Sequence, residues 1–174
     1  MPSTMQALHD EHEELLPHID QLRTSAAGIT GNNARLLRER IAPNVEFLAD
    51  HLLIHAMAED EVLYPAVERA MNAPGATATM QWEHQEVKRQ TEELAELMAA
   101  IPASGPSSQQ ISDAQRLLFS LHALVSTHFA KEEAIFVPAL QANLSQPEAD
   151  ALYAEMEAAA GRLRKAAEPE AVTA

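Results

Sequence analysis

The sequence predicts an all-α protein, an up-down-up-down four-helix bundle with an additional C-terminal helix. Three observations point there. The 174 residues are 47% hydrophobic but only 4% aromatic, and glycine is scarce, which suits helices better than a sandwich or barrel. Clusters of Gly, Pro, Ser and Asn cut the chain into five pieces. Four of those pieces carry an apolar seam at steps of three and four.

The first helix is expected over 4–24, with a seam of Met5, Leu8, His12, Leu15, Ile19 and Leu22. SAAGITGNN (25–33) ends it. The second is expected over 34–71, along Val45, Leu48, Leu52, His55, Glu59, Val62 and Ala66, and NAPGATAT (72–79) follows. The third, over 79–101, reads Met80, His84, Val87, Thr91, Leu94 and Met98, and stops at PASGPSSQQ (102–110). The fourth, over 109–142, reads Ala114, Leu118, Leu121, Val125, His128, Glu132, Ile135 and Ala139. In NLSQPEAD, Ser145 and Glu148 have the spacing of a capping box and start a fifth helix over 146–166. Pro17 and Pro43 interrupt helices one and two, each at a cost of roughly 3 kcal/mol, and a kink or restart is expected at both. The domain reading is a bundle over 1–142, a C-terminal helix packed on it over 143–168, and a frayed tail over 169–174.

The formal charge is −14, so nucleic acid and anionic membranes are poor partners. There is no cysteine, which excludes disulfides, iron–sulfur ligation and thiol catalysis. The opening MPSTMQALHDEHEE lacks the features of a signal peptide, and no apolar run is long enough to cross a membrane. A soluble, cytoplasmic protein is the expectation.

Six seam positions are polar: His12, His55, Glu59, His84, His128 and Glu132. Burying an unpaired carboxylate costs several kcal/mol, so something must compensate for two of them. The sequence also repeats at a shift of 72 or 73. LHDEHEEL (8–15) falls on MQWEHQEV (80–87), matching Glu11 with Glu83 and His12 with His84. HAMAEDEVLYPAV (55–67) falls on HFAKEEAIFVPAL (128–140), matching His55, Glu59, Pro65 and Ala66 with His128, Glu132, Pro138 and Ala139. Each half is thus a helix hairpin offering one histidine and one His-x-x-x-Glu, whose spacing of four puts both side chains on one face.

Four imidazoles and two carboxylates exceed what one tetrahedral zinc takes. They suit two metal ions, each with two histidine nitrogens, bridged by both carboxylates. The mixed nitrogen and oxygen set points to iron first, then manganese, then zinc. A metal-free core of hydrogen-bonded His and Glu is the competing reading, and agreement of six positions on one geometry weighs against it. Of the rest, His51, one turn before His55, is read as a neighbour of the site, a wall of an access path or simply a partly buried polar residue. His9, His18 and His122 are read as surface or rim residues. Tyr64, Trp82 and Phe129 are read as packing, with Tyr64 placed to reach a metal or a bound ligand.

The pattern His…His-x-x-x-Glu…His…His-x-x-x-Glu, from His12 to Glu132, resembles the hemerythrin-like (HHE cation-binding) family, di-iron type, down to the EDEVLYP and EEAIFVP tails. The resemblance implies two non-haem iron ions, oxo- or hydroxo-bridged, held by His12, His55, His84 and His128 and bridged by Glu59 and Glu132. Oxygen carriers of that family have a further histidine four residues after the third-helix histidine. Here that position, one turn after His84 and on nearly the same face, is Lys88. The six-residue pattern is more similar to di-iron proteins linked to iron–sulfur cluster repair and nitrosative stress, which usually carry an N-terminal cysteine-bearing segment.

The leading functional reading is a di-iron protein that binds or turns over O₂, NO or peroxide, in an oxidative or nitrosative stress response or in sensing. With Lys88 in place of a ligand, both irons are expected to stay open. The alternatives are an iron- or oxygen-sensing module without catalysis and a metal-free structural bundle. Expected partners are small diatomic ligands or peroxide. The sequence names no protein partner, and it leaves open whether an oxidoreductase activity is present.

Overall fold

The computed structural model describes residues 4–167. The tail at 169–174 and the side chain of Met5 lie outside what it describes. Helix α1 is Thr4–Ala27, α2 runs over 34–71, α3 is Ala78–Ala99, α4 runs over 108–143 and α5 is Gln146–Ala167. No strand occurs among the described residues. None of the helices is long and apolar enough to cross a membrane.

Each element has a local cause. Asn33 starts α2 by accepting the Leu36 N–H, and Asn72 ends it in the left-handed region at φ 49°. Buried Thr77 fixes the turn into α3 through its hydroxyl, which donates to Glu68 Oε1 at 2.7 Å. Ser107 and Gln110 form a full capping box at the start of α4. At α5 only the return half of the expected box forms: the Ser145 N–H and hydroxyl both donate to Glu148 Oε2.

α1 and α2 run antiparallel, since Ser25 meets Asn44 at one end while Glu11 meets His55 further along. The four long helices close a ring in which each touches its two neighbours. One apolar core fills the end built from Ile19, Leu22, Ile41, Leu48, Leu94 and Leu118. A second fills the other end, where Leu8, Leu63, Met80 and Leu140 meet Leu152 and Met156 of α5. The six polar seam residues lie between the two cores along their helices. α5 also rests on α2 through Ala159 and Ala160 against Ile54 and Ala58.

The prolines act differently from expectation. α1 runs unbroken through Pro17, and the first segment of α2, Ala34–Phe47, runs through Pro43. The irregularities are three π-turns, at Leu48–Leu52, Glu59–Leu63 and Glu132–Phe136. Two of them begin at the seam carboxylates, and Pro65 and Pro138 stand six residues after those carboxylates. Neither proline has an N–H to offer an α-helical bond. The preceding residue closes the wider turn instead: Tyr64 N–H bonds the Glu59 carbonyl, and Val137 N–H bonds that of Glu132.

Each π-turn advances the seam by one residue. Ile135, expected inside, is 49% exposed, while Phe136, Val137 and Leu140 are buried. In α2 the buried positions between Glu59 and Glu68 are Leu63, Tyr64, Ala66 and Val67, so expected Ala66 stays inside while Val62 is only half-buried.

Candidate metal centre

All six predicted residues meet in one buried layer. His12 comes from α1, His55 and Glu59 from α2, His84 from α3, and His128 and Glu132 from α4. Glu59 and Glu132 are fully buried. Two groups of three have ligand atoms close enough for one ion: His12, His55 and Glu59, and Glu59, His84 and His128.

The carboxylates divide their oxygens between the two pairs of histidines. Glu59 Oε1 lies 3.0 Å from His55 Nε2 and 3.6 Å from His12 Nε2, while its Oε2 lies 3.4 Å from His84 Nε2. Glu132 Oε2 lies 3.5 Å from His12 Nε2, and its Oε1 lies 3.4 Å from His128 Nε2. One oxygen of each carboxylate thus faces each pair.

Four further carboxylates hold the rings from outside. His12 Nδ1–H donates to Glu133 Oε1 at 2.7 Å, and His84 Nδ1–H to Asp60 Oδ1 at 2.9 Å. His55 Nδ1–H donates to Glu11 Oε1 at 3.2 Å, and His128 Nδ1–H to Glu83 Oε2 at 2.9 Å. With Nδ1 so engaged, every Nε2 points inward, the arrangement metal-binding histidines use. The pattern obeys the repeat. Glu11 and Glu83, each just before a histidine, hold the histidine of the next helix. Asp60 and Glu133, each just after a core glutamate, hold the histidine of the other half.

The donor set fits a pair of cations. Buried and without hydrogen-bond partners are His12 Nε2, His55 Nε2, both Glu59 oxygens and Glu132 Oε2. Such atoms are costly unless a cation satisfies them. Two nitrogens bound at right angles to one ion at about 2.1 Å lie about 3.0 Å apart. His84 Nε2 and His128 Nε2 are 3.0 Å apart.

Electrostatics reports the same need. Burial opposes the charge on Glu59, but the positive charge of His55 and the close imidazoles of His12, His55 and His84 hold it well below the usual carboxylate range. Burial also opposes protonation of His55, yet Glu59 and Glu11 raise it well above an ordinary histidine. Burial opposes protonation of His84 too; the bond to Asp60 and the nearby Glu59 carboxylate outweigh it and push His84 up to about 9. Protons on His55 and His84 therefore offset the charge of Glu59 when no cation does.

The halves differ in the polar groups that reach the histidines. Tyr64 is fully buried, and its hydroxyl donates to Glu132 Oε1 at 2.7 Å while standing 3.2 Å from both His84 Nε2 and His128 Nε2. Its counterpart after Glu132 is Val137, which has no polar group. Burial and the charges of Glu59 and Glu132 push the phenol far above its ordinary range.

Other expectations resolve as follows. Lys88 is exposed, with Nζ 3.9 Å from Glu92 Oε1, so position 88 faces outward. His51 is exposed beside Phe47 and away from the site. His9 sits at the rim, bonded to the same Glu133 that holds His12. His18 is exposed and stacks on Phe47, and half-buried His122 lies 3.4 Å from Asp20. Trp82, expected to pack, is 70% exposed. Phe129 does pack, its ring stacked 4.4 Å from that of His12.

Comparison with known proteins places this geometry. The hemerythrin HHE cation binding domain model matches residues 3–109 and again 77–169. The two matches begin 74 residues apart, close to the internal repeat. A DNA nickase from Nostoc sp. strain PCC 7120 is 32% identical over 114 residues, covering 66% of this chain and 29% of that protein. The chain thus matches less than a third of that relative's length. No solved structure matches.

Proposed function

Because the chain belongs to the hemerythrin HHE cation-binding domain family, we propose that it is a non-haem di-iron protein that binds or turns over O₂, NO or peroxide. The observation that carries this reading is the sharing of Glu59 and Glu132 oxygens between two pairs of inward-pointing histidine nitrogens. His12 and His55 would hold one ion, His84 and His128 the other, and Glu59 and Glu132 would bridge them. Nitrogen and carboxylate donors together suit iron. The iron pair, when bound, supplies one-electron redox steps and coordination positions that small ligands can take.

The chain's own residues set the terms. Two histidines and two carboxylate oxygens give each ion four donors. Tyr64 would add a fifth on the His84 and His128 side only. A cation there reverses the cost of a buried phenolate, so the hydroxyl would release its proton on metal binding. The ion held by His12 and His55 would keep the freer coordination. The two equally open irons inferred from Lys88 would thus become one five-donor ion and one four-donor ion. The outer carboxylates hold each ring in one tautomer, and the apolar cores above and below keep bulk water away.

The DNA activity in the relative's name stays with that protein. A −14 chain opposes a phosphate backbone, and small uncharged ligands remain the partners the site favours. Purification from iron-replete medium, elemental analysis, and stopped-flow mixing of the reduced protein with O₂, NO and peroxide test the reading. About two irons per chain and a spectral reaction with at least one of the three are expected. One ion per chain, zinc alone, or no reaction would overturn it.

A further inference from the structure

The two halves match in their histidines and glutamates but not in the residue after the second-helix histidine. His55 is followed by Ala56, and His128, its counterpart 73 residues on, by Phe129. Phe129 fills its corner. It is buried, its ring lies over His12, and it meets His55 edge-on at 5.8 Å. Ala56 is buried too, but brings only a methyl group.

On the Ala56 side two hollows lie back to back. The inner one, about 10 Å³, touches His55, Glu59, His84 and His128, and Leu52, Val87, Val125 and an edge of Phe129 help to wall it. The outer one is a groove of about 400 Å³ between α2 and α3, with Leu53, Met57, Lys88 and Leu163 of α5 along it. Met57 there is 50% exposed. Only Ala56 and His84 line both hollows. His84 is a bulky ring tied to Asp60, so the methyl group of Ala56 is the thinnest part of the partition.

Size and polarity select what can pass. About 10–15 Å³ is the room one water-sized molecule needs, so the inner hollow, at about 10 Å³, matches a single water-sized molecule and excludes an organic substrate. Its walls beyond the metal-binding groups are apolar, so an ion crossing the partition would lose its hydration without a partner. The −14 charge of the chain disfavours anions further.

The geometry points to Ala56 as the threshold through which small uncharged molecules of the O₂, NO and hydrogen peroxide class reach the centre, with Phe129 closing the matching path in the other half. This rests on the metal-centre reading above. The tested variant is Ala56→Phe, which copies the closed half, with Ala56→Val as a milder block should the larger ring prevent folding.

In iron-loaded protein, NO association and dissociation are followed by stopped flow. Both rate constants should fall about ten-fold while Kd stays within about three-fold, because a doorway slows both directions alike. Unchanged rates, or a changed Kd with an unchanged association rate, would overturn the threshold. A second arm needs no metal. In the metal-free full-length chain, dissolved O₂ should broaden the methyl resonances of Val87 and Val125, and Ala56→Phe should remove that broadening. Broadening that survives the substitution, or never occurs, defeats the route. Failure to load iron with the methyl effect intact would count against the di-iron reading and leave the threshold standing.

Discussion

The Tyr64 hydroxyl donates to Glu132 Oε1 at 2.7 Å, joining α2 to α4 across the centre of the bundle. The contact exists because of the π-turn at Glu59–Leu63. In a regular α-helix, at about 100° per residue, position 64 would lie about 140° round from Glu59 and point away from the site. The wider turn brings it back. Only one half has it, and the symmetry of the donor set is broken there.

Tyr64→Phe should therefore change the spectrum of the iron-loaded protein more than its fold. A phenolate on ferric iron absorbs in the visible, and that band should be present in the native protein and absent in the variant. Loss of one buried hydrogen bond should cost the metal-free form about 1 kcal/mol. Visible absorption and thermal melting check both halves of this expectation. An unchanged visible spectrum would remove Tyr64 from the metal's surroundings.

Lys88→His should leave metal content and spectrum unchanged. The Lys88 side chain is 66% exposed and turned away from the core. A new visible band, or a stable oxygenated form in this variant alone, would mean that position 88 does reach the metal.

Glu59→Ala and Glu132→Ala should each lower iron below two per chain, since each carboxylate serves both histidine pairs. Glu59→Ala should be the more damaging, because Glu59 lies within 3.6 Å of the Nε2 atoms of three histidines, His12, His55 and His84, and Glu132 of two, His12 and His128. Elemental analysis alongside helical circular dichroism separates metal loss from unfolding. Retention of two irons by either variant contradicts the bridging assignment.

Glu11→Gln and Asp60→Asn should weaken metal binding about 10–100-fold without touching a donor atom. Each removes the charge that fixes a ring, at His55 and His84 respectively. Chelator competition measures the loss, and affinities equal to the native value would show that the rings need no such hold.

The metal-free protein should lose stability as pH rises. His84 has its folded-state value raised from 6.5 to about 9. A raised value stabilises fully below 6.5, and that contribution disappears as pH climbs through 9; for His84 it is on the order of 3 kcal/mol. The raised His55 acts in the same direction. Melting of the metal-free chain should thus fall between pH 6.5 and 9. The loaded chain should melt higher throughout and keep its stability across that range, since cations replace the protons. Coincident melting curves would argue against a site built from core residues.

Sequence alone determined the helices, the bundle and the six meeting residues. Periodicity is local, and a carboxylate every 73 residues on an apolar seam has few uses other than metal. Even the outer carboxylates were partly legible, since Glu11 falls on Glu83 and Asp60 on Glu133 in the repeat. Three things were decided only by tertiary structure. The π-turns, set by Pro65 and Pro138, rotated the helix ends by one residue, so that Tyr64 came in and Ile135 went out. Asp60 and Glu133 acquired partners in the opposite half, a pairing that needs the helices side by side. Lys88 sits one turn from His84 along the chain, yet four residues advance an α-helix by about 40° beyond a full turn. At the edge of a bundle that is enough to put a side chain in water, and the sequence does not record where the edge falls.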